Sequence, residues 1–341
     1  MIPGKRALLA RLLDTTGLTS LTLAIRRRLP PARLVVLNYH RVACPWECRD
    51  FDDDVRDASP ETFDRQIGLL RREFTLIRLA DLFEYLHGGS LPPNPALITF
   101  DDGYKDNYEH ALPILQRHEA HAVFFIATDF IERRRLFWWD RISYTLKHAT
   151  RRQFSINYPS SLAIDISDGV REPARQLHRM AGHAFALDFD RFLSELTTAA
   201  GTQWSDDLEH ELADRVLMTW DQIRELRKSG MEIASHTRRH RVLTTIPDDE
   251  LAEELAGSKA DLEVALGFPV RALSYPVGAP VNHLPRLRAA VGGAGYEVGF
   301  SYLTGIQSLQ RLDPLSISRL SIDSTWSASR FRGALSFSWL G

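Results

Sequence analysis

Residues 97–108 read LITFDDGYKDNY. The apolar, partly β-branched run Leu97–Phe100 predicts a buried strand, and it ends on two adjacent carboxylates, Asp101 and Asp102, before Gly103. A single Asp-Gly or Asn-Gly pair suffices for a turn, whereas two neighbouring carboxylates repel each other. The stretch therefore has two readings. One is a strand followed by an ordinary Asx turn. The other is a strand end that presents carboxylates to something that offsets their charge. The surrounding chain separates them.

Short apolar runs alternate with helical patterns along most of the sequence. Strands are predicted at 33–40, 96–100, 121–128, 231–236, 270–278, 296–302 and 317–323. Helices are predicted at 59–74, with Ser59 as N-cap, and at 107–119 and 220–230. Another is predicted at 247–267, with Pro247 near its start and Gly267 past its end. Strands apolar on both faces and separated by helices indicate a parallel α/β sheet or barrel. The rhythm pauses at about 133–216, read as a mostly helical insertion in a domain spanning 34–341. Trp138 and Trp139 either pin that lobe to the barrel or offer sugars a stacking platform.

At 341 residues the chain has ample length for a core, and 44% hydrophobic with 25% charged residues marks an ordered globular protein. Its 42 basic and 44 acidic side chains nearly balance, which argues against a nucleic-acid partner. The only cysteines, Cys44 and Cys48, are too few for a disulfide scaffold or a structural zinc site. A local disulfide and two free thiols both fit, and thiols suit a reducing compartment. Residues 1–33 read as an amphipathic helical lead-in. Leu8, Leu9, Leu12 and Leu13 recur at helical spacing, and Lys5, Arg6, Arg11 and Arg26–Arg28 supply positive charge. The lead-in either packs on the domain or touches a membrane surface peripherally. No signal-peptide cleavage site follows it, and no run reaches transmembrane length. The expected location is the cytoplasm, with the inner membrane face as the alternative within it.

Three further motifs follow predicted strands. ASHTRRH places His236 and His240 four residues apart, on one face if the chain turns helical there. Two imidazoles and one carboxylate make a three-ligand metal site with open positions, and the other carboxylate is free to act as a base. A divalent cation offsets the Asp101–Asp102 repulsion. SYPVG (274–278) makes a tight turn that aims the Val277 N–H at an oxyanion, with Tyr275 and Pro276 beside it. LNYHR (37–41) ends the first strand on His40, a candidate to protonate a leaving group. All four motifs lie at the carboxyl ends of strands, where α/β barrels place their active sites.

TFDDGY, SHTRRH and YPVG together resemble the polysaccharide deacetylase family, also called the NodB homology domain or carbohydrate esterase family four. The resemblance runs from about residue 34 to 323. It implies a distorted (β/α) barrel that hydrolyses acetyl groups on glycans with one divalent metal ion. It also implies that Asp101 is the catalytic base and that Asp102, His236 and His240 are metal ligands. Many members carry an arginine in the third motif to hold the base; here that place is Ser274, and Val277 stands where tyrosine is usual. Arg271 and Arg319 are the candidate substitutes, and a differently tuned base is the alternative. Many members also take the acid histidine from a Leu-x-His motif near the carboxyl terminus, which this chain lacks. It resembles instead a permuted branch in which the N-terminal strand supplies that group as His40.

The reading reached is a metal-dependent deacetylase of N-acetylated amino sugars in a glycan or glycan precursor, as in exopolysaccharide biosynthesis. Zinc is the expected metal, with cobalt, nickel, manganese and iron as alternatives. The rival readings are an amidohydrolase of small or formylated amides and a catalytically silent glycan-binding protein.

Overall fold

The apolar runs find partners on both faces. The computed structural model describes residues 3–278 and 283–337. Seven parallel strands close into a barrel: β1 (Arg33–Tyr39), β2 (Pro95–Phe100), β3 (Val123–Ile126), β4 (Glu232–Ser235), β5 (Ala272–Ser274), β6 (Val298–Thr304) and β7 (Ile317–Ser321). Their order around the barrel follows the chain. β1 pairs with β2 from Val35↔Ala96 to Tyr39↔Phe100, and on its other side with β7 at Leu37↔Leu320 and Asn38↔Ser321. This is the expected (β/α) barrel, with seven strands rather than eight.

Side chains alternate across each strand, so each strand feeds two cores. Leu34 and Val36 of β1, Leu97 of β2, Val123 and Phe125 of β3, Phe300 of β6 and Ile317 of β7 fill the barrel. Residues of the other parity, such as Val35, Leu37, Tyr39, Ile98 and Phe100, pack outward against the helices. The helix Leu79–Leu86, which the sequence pattern did not single out, adds Leu79 and Leu82 to the inner cluster. Glu232, the first residue of β4, accepts hydrogen bonds from the backbone N–H groups of Leu79 (2.6 Å) and Ala80 (3.0 Å). The helix therefore covers the amino-terminal end of the barrel, leaving the carboxyl-terminal end for chemistry.

Between β3 and β4 the chain builds a lobe from the helices Trp138–Lys147, Arg171–His183, Phe189–Ala200 and Asp206–Val216. It also contains an antiparallel hairpin, Gln153–Ile156 with Leu162–Asp165, which a helical reading of 133–216 leaves out. Trp138 and Trp139 are buried, and Trp139 Nε1 donates to Tyr104 Oη at 2.7 Å, so they pin the lobe rather than stack on sugars. At the other end, α1 (Pro3–Thr15) and α2 (Leu18–Arg26) bend by 74° and pack on the helix Ala328–Ser336. Asp14 pairs with Arg332 at 2.8 Å, and Arg26 donates to the carbonyls of Leu335 and Ser336. The outer face of this pair exposes Leu8, Leu12, Leu21 and Ile25. No single helix among the described residues is long and apolar enough to cross a membrane. Cys44 and Cys48 are not bonded to each other.

Phe125 lies at the barrel's centre, 5.3 Å from the Phe300 ring, just beneath the site. Phe125→Ala is expected to cost about 3–5 kcal/mol, since no neighbour inside a closed barrel can collapse into the space. Denaturant unfolding measures it, as a lower midpoint with an unchanged slope.

Candidate active site

The inward parity of each strand, carried to the strand's end, delivers the site. In β1 the series Leu34, Val36 continues to Asn38 and His40; in β2, Leu97 and Thr99 lead to Asp101. Ala234 in β4 leads to His236, Ala272 in β5 to Ser274, and Ile317 in β7 to Arg319. The site is thus the uppermost layer of the barrel core, where side chains turn from apolar to ionisable.

Arg319 is fully buried and donates through all three of its nitrogens. Nη1 and Nη2 reach the two oxygens of Asp101 at 2.8 and 2.7 Å, a bidentate pair. Nη1 also donates to Asn38 Oδ1 (2.6 Å), Nη2 to Ser274 Oγ (2.8 Å) and Nε to the Ser301 carbonyl (3.2 Å). Ser274 Oγ in turn lies 3.1 Å from Asp101 Oδ2. Of the two candidate substitutes for the third-motif arginine, Arg319 is the one at the carboxylate, and Arg271 pairs with Glu297 instead. Burial alone would raise the Asp101 pKa, but Arg319, followed by His236, outweighs it and holds the carboxyl below the usual range.

Asp102 has a different set of neighbours. Its Oδ1 lies 3.3 Å from His236 Nε2 and 3.4 Å from His240 Nε2, and all three residues are buried. His236 Nδ1 lies 2.8 Å from the Ser274 carbonyl, which fixes that nitrogen as a donor and leaves Nε2 as the nitrogen turned towards Asp102. Asp102 Oδ1 has no hydrogen-bond partner among the described residues despite its burial. Burial pushes His240 towards its neutral form; burial alone would raise the Asp102 pKa, but the neighbouring His236 and His240 outweigh it and hold the carboxyl well below the normal range. An orphaned carboxylate oxygen between two imidazole nitrogens fits a divalent transition-metal ion.

The two histidines do not share a helix face. Residues 236–241 form a bend, with Thr237 at φ +64° and His240 at +52°. Asp102 (+77°) and Val277 (+48°) also lie in the left-handed region, so half of the eight non-glycine positive-φ residues described surround the site. Buried Glu254 holds the histidine loop, accepting from the backbone N–H groups of Arg238 (3.1 Å) and Arg239 (2.8 Å) and from Arg239 Nε (2.8 Å). Asp261 chelates the Arg238 guanidinium at 2.9 and 2.7 Å. A Cβ on Gly257 would fall 2.8 Å from Arg238 Cζ, so glycine lets that side chain pass. Sequence reasoning missed Glu254 and Asp261; the only signal was two arginines inside a candidate metal loop.

His40 caps β1, and its Nδ1 lies 3.1 Å from Asp57 Oδ2, whose carboxylate also accepts the His40 backbone N–H. Burial disfavours charge on His40, but Asp57, and more distantly Asp102 and Asp101, outweigh it and raise the imidazole pKa to about 9. Asp57 went unrecognised because an isolated aspartate in RDA carries no motif. In the SYPVG turn, the Gly278 N–H donates to the Tyr275 carbonyl at 3.2 Å, and no acceptor among the described residues takes the Val277 N–H. Pro276 is buried. The Tyr275 hydroxyl donates to the Leu315 carbonyl at 2.9 Å, near the start of β7, so its side chain serves the core rather than the site.

The sequence model for polysaccharide deacetylases matches residues 88–299. The chain belongs to the polysaccharide deacetylase family. Solved structures of similar fold include the Streptococcus pyogenes deacetylase PplD in complex with acetate, at 19% identity, 88% coverage of this chain and 96% of that one, and TM-score 0.56. Another is IcaB from Ammonifex degensii, at 19% identity, 91% and 98% coverage and TM-score 0.54. A third is the BpsB deacetylase domain from Bordetella bronchiseptica, at 17% identity, 87% and 97% coverage and TM-score 0.52. At these identities the likeness is one of fold. No curated protein matches the sequence.

In this deacetylase, Arg319→Ala strands a buried carboxylate, and the expected cost is about 3–5 kcal/mol in denaturant unfolding. The double variant Asp101→Ala/Arg319→Ala is expected to cost less than the sum of its singles, because the orphaned charge is then gone.

Proposed function

We propose that this chain is a metal-dependent hydrolase that removes the acetyl group from an N-acetylated amino sugar in a glycan or glycan precursor. The observation that carries the proposal is the division of labour between adjacent carboxylates. Asp101 is gripped by Arg319 and Ser274, while Asp102 faces only His236 and His240. Asp102, His236 and His240 would hold the ion, zinc by the character of a carboxylate–bis-imidazole set. When bound, such an ion acidifies water and polarises the acyl carbonyl.

The chain's own groups account for the proton transfers. Asp101 takes the proton of the attacking water as the C–O bond forms. The Val277 N–H donates to the carbonyl oxygen as it gains negative charge. His40, charged and held by Asp57, passes a proton to the amine nitrogen as the C–N bond breaks, so acetate and a free amine leave. Arg319 argues against the silent glycan-binding reading, since the arginine missing from the third motif is replaced in space.

The outer face of α1 and α2 supports a membrane contact. Leu8, Leu12, Leu21 and Ile25 lie exposed beside exposed Lys5, Arg11, Arg27 and Arg28, a pattern suited to the anionic lipid of a cytoplasmic leaflet. This pattern supports a substrate pool at the inner membrane face.

Elemental analysis is expected to find about one metal ion per chain in wild type and Asp101→Asn, and none in His236→Ala. Asp101→Asn should lose at least about 10²-fold in kcat on an N-acetylchitooligosaccharide. Full activity in that variant, or metal-free wild-type protein after incubation with zinc, would sink the proposal. A second test concerns His40. Because its pKa is raised, the acid form persists above the ordinary imidazole range, and activity falls as pH rises through that value. Asp57→Asn removes the supporting charge and is expected to move this alkaline limb of the kcat/KM profile to lower pH.

A further inference from the structure

A cleft of about 1740 Å³ adjoins the catalytic layer at Asp57 and Tyr302, and extends to Trp326 and Arg330 near the carboxyl-terminal helix. The Tyr302 ring lies 6.0 Å from the His40 imidazole, so the cleft and the acid share a wall. Seven cationic side chains line this cleft against four carboxylates, in a chain whose overall charge is −2. Three of the cations are accounted for locally: Lys147 pairs with Asp53, and Arg171 and Arg175 pair with Asp54. Setting Arg6 aside, that leaves Arg49, Arg56 and Arg330. Of the other two carboxylates, Asp57 already serves His40, and Asp323 Oδ1 accepts from the backbone and hydroxyl of Thr325.

Arg330 is the deciding residue. It is only 8% exposed, yet its guanidinium makes no hydrogen bond and no ion pair among the described residues, and Nη1 is buried without a partner. The Trp326 ring lies 5.1 Å from its Cζ. Burial, followed by the like charge of Arg6, disfavours the Arg330 cation, and Asp323 opposes them. Arg56 Nε is likewise buried without a partner, and Arg49 is exposed with no carboxylate paired to it among the described residues. A folded chain rarely buries a guanidinium unpaired, because the desolvation is uncompensated. Three such arginines, with Asp323 the one remaining carboxylate of the lining, call for a ligand with more than one negative charge, and arginine forks match phosphoryl oxygens.

We propose that this cleft is a second subsite that binds the diphosphate of a sugar diphosphate, so that the amino sugar is deacetylated while still attached to its carrier. The inference rests on the deacetylase reading for its purpose, but not for its geometry. Two carriers present the same chemistry, a nucleoside and a polyprenyl chain. α1 borders the cleft through Arg6 and Ala7 and exposes Leu8 and Leu12 alongside, which brings the subsite close to the face proposed to meet lipid.

The test is calorimetric titration of the metal-loaded protein with inorganic pyrophosphate at physiological salt. Wild type is expected to bind, and His236→Ala, which lacks a ligand of the candidate metal site, is expected to bind equally. Arg330→Gln and the exposed Arg49→Gln, which carries no folding risk from burial, should each weaken binding about tenfold or more. Binding that survives both arginine changes but vanishes in His236→Ala would overturn the proposal, as would no binding by wild type. Activity separates the two claims. Deacetylation of a neutral chitooligosaccharide without pyrophosphate binding removes the subsite and leaves the enzyme. Arginine-dependent binding with no sugar deacetylated leaves the subsite and removes the enzyme. Amine release from a nucleoside-diphosphate N-acetyl sugar in solution, against the polyprenyl-diphosphate form in anionic vesicles, identifies the carrier.

Discussion

The bidentate contact between Arg319 and Asp101 is the interaction on which the site depends. A carboxylate inside a closed barrel is costly to ionise, and a guanidinium there is costlier still unless its hydrogen bonds are met. Here one arginine meets groups on β1, β2, β5 and β6 from its own place on β7, so its cost of burial is offset by contacts to most of the barrel. The pair also separates two neighbouring aspartates by environment. One faces fixed positive charge, and its neighbour faces two imidazoles. Adjacent residues of one type thereby acquire different chemistry, without any difference in their own covalent structure.

The fold was legible because it rests on local signals. Apolar runs of five to eight residues, helices with Ser59 and Gly267 at their ends, and one long interruption suffice to indicate a parallel barrel. The residues that stand at strand ends were legible for the same reason: Asp101, Asp102, His236 and His40 follow apolar runs directly. Partners distant in sequence were not. Arg319 lies 218 positions from Asp101, and either arginine of the candidate pair could be drawn to it on paper. Strand parity would have decided between them. Arg319 follows Ile317 by two and therefore points inward, where an arginine demands an anion.

The chain does bring His236 and His240 together beside Asp102, on a physical basis other than the one their spacing suggests. Four residues suit a helical turn, yet here a bend does the work, with left-handed backbone at Thr237 and His240. Such backbone is unfavourable for residues with a Cβ and persists where surrounding contacts over-determine it. Glu254 and Asp261, both on the helical segment after the loop, provide those contacts through Arg238 and Arg239. The two arginines that look like filler inside the motif are its anchors, which sequence alone disguises as surface charge.

Barrel closure has a chemical side. Asp102, His236 and His240 stand at or just beyond the ends of β2 and β4, which β3 joins into one run of sheet without β5, β6 or β7. Arg319 comes from β7, the strand whose pairing with β1 turns an open sheet into a barrel. In a sheet not yet closed, Asp101 has neither its arginine nor the polar frame of Asn38 and Ser274 around that arginine. Closure of the barrel and pairing of Asp101 with its arginine are therefore one event. A barrel left open between β7 and β1 would keep Asp102 beside its histidines yet leave Asp101 without its counter-charge, so the finished topology itself sets the charge balance of the site.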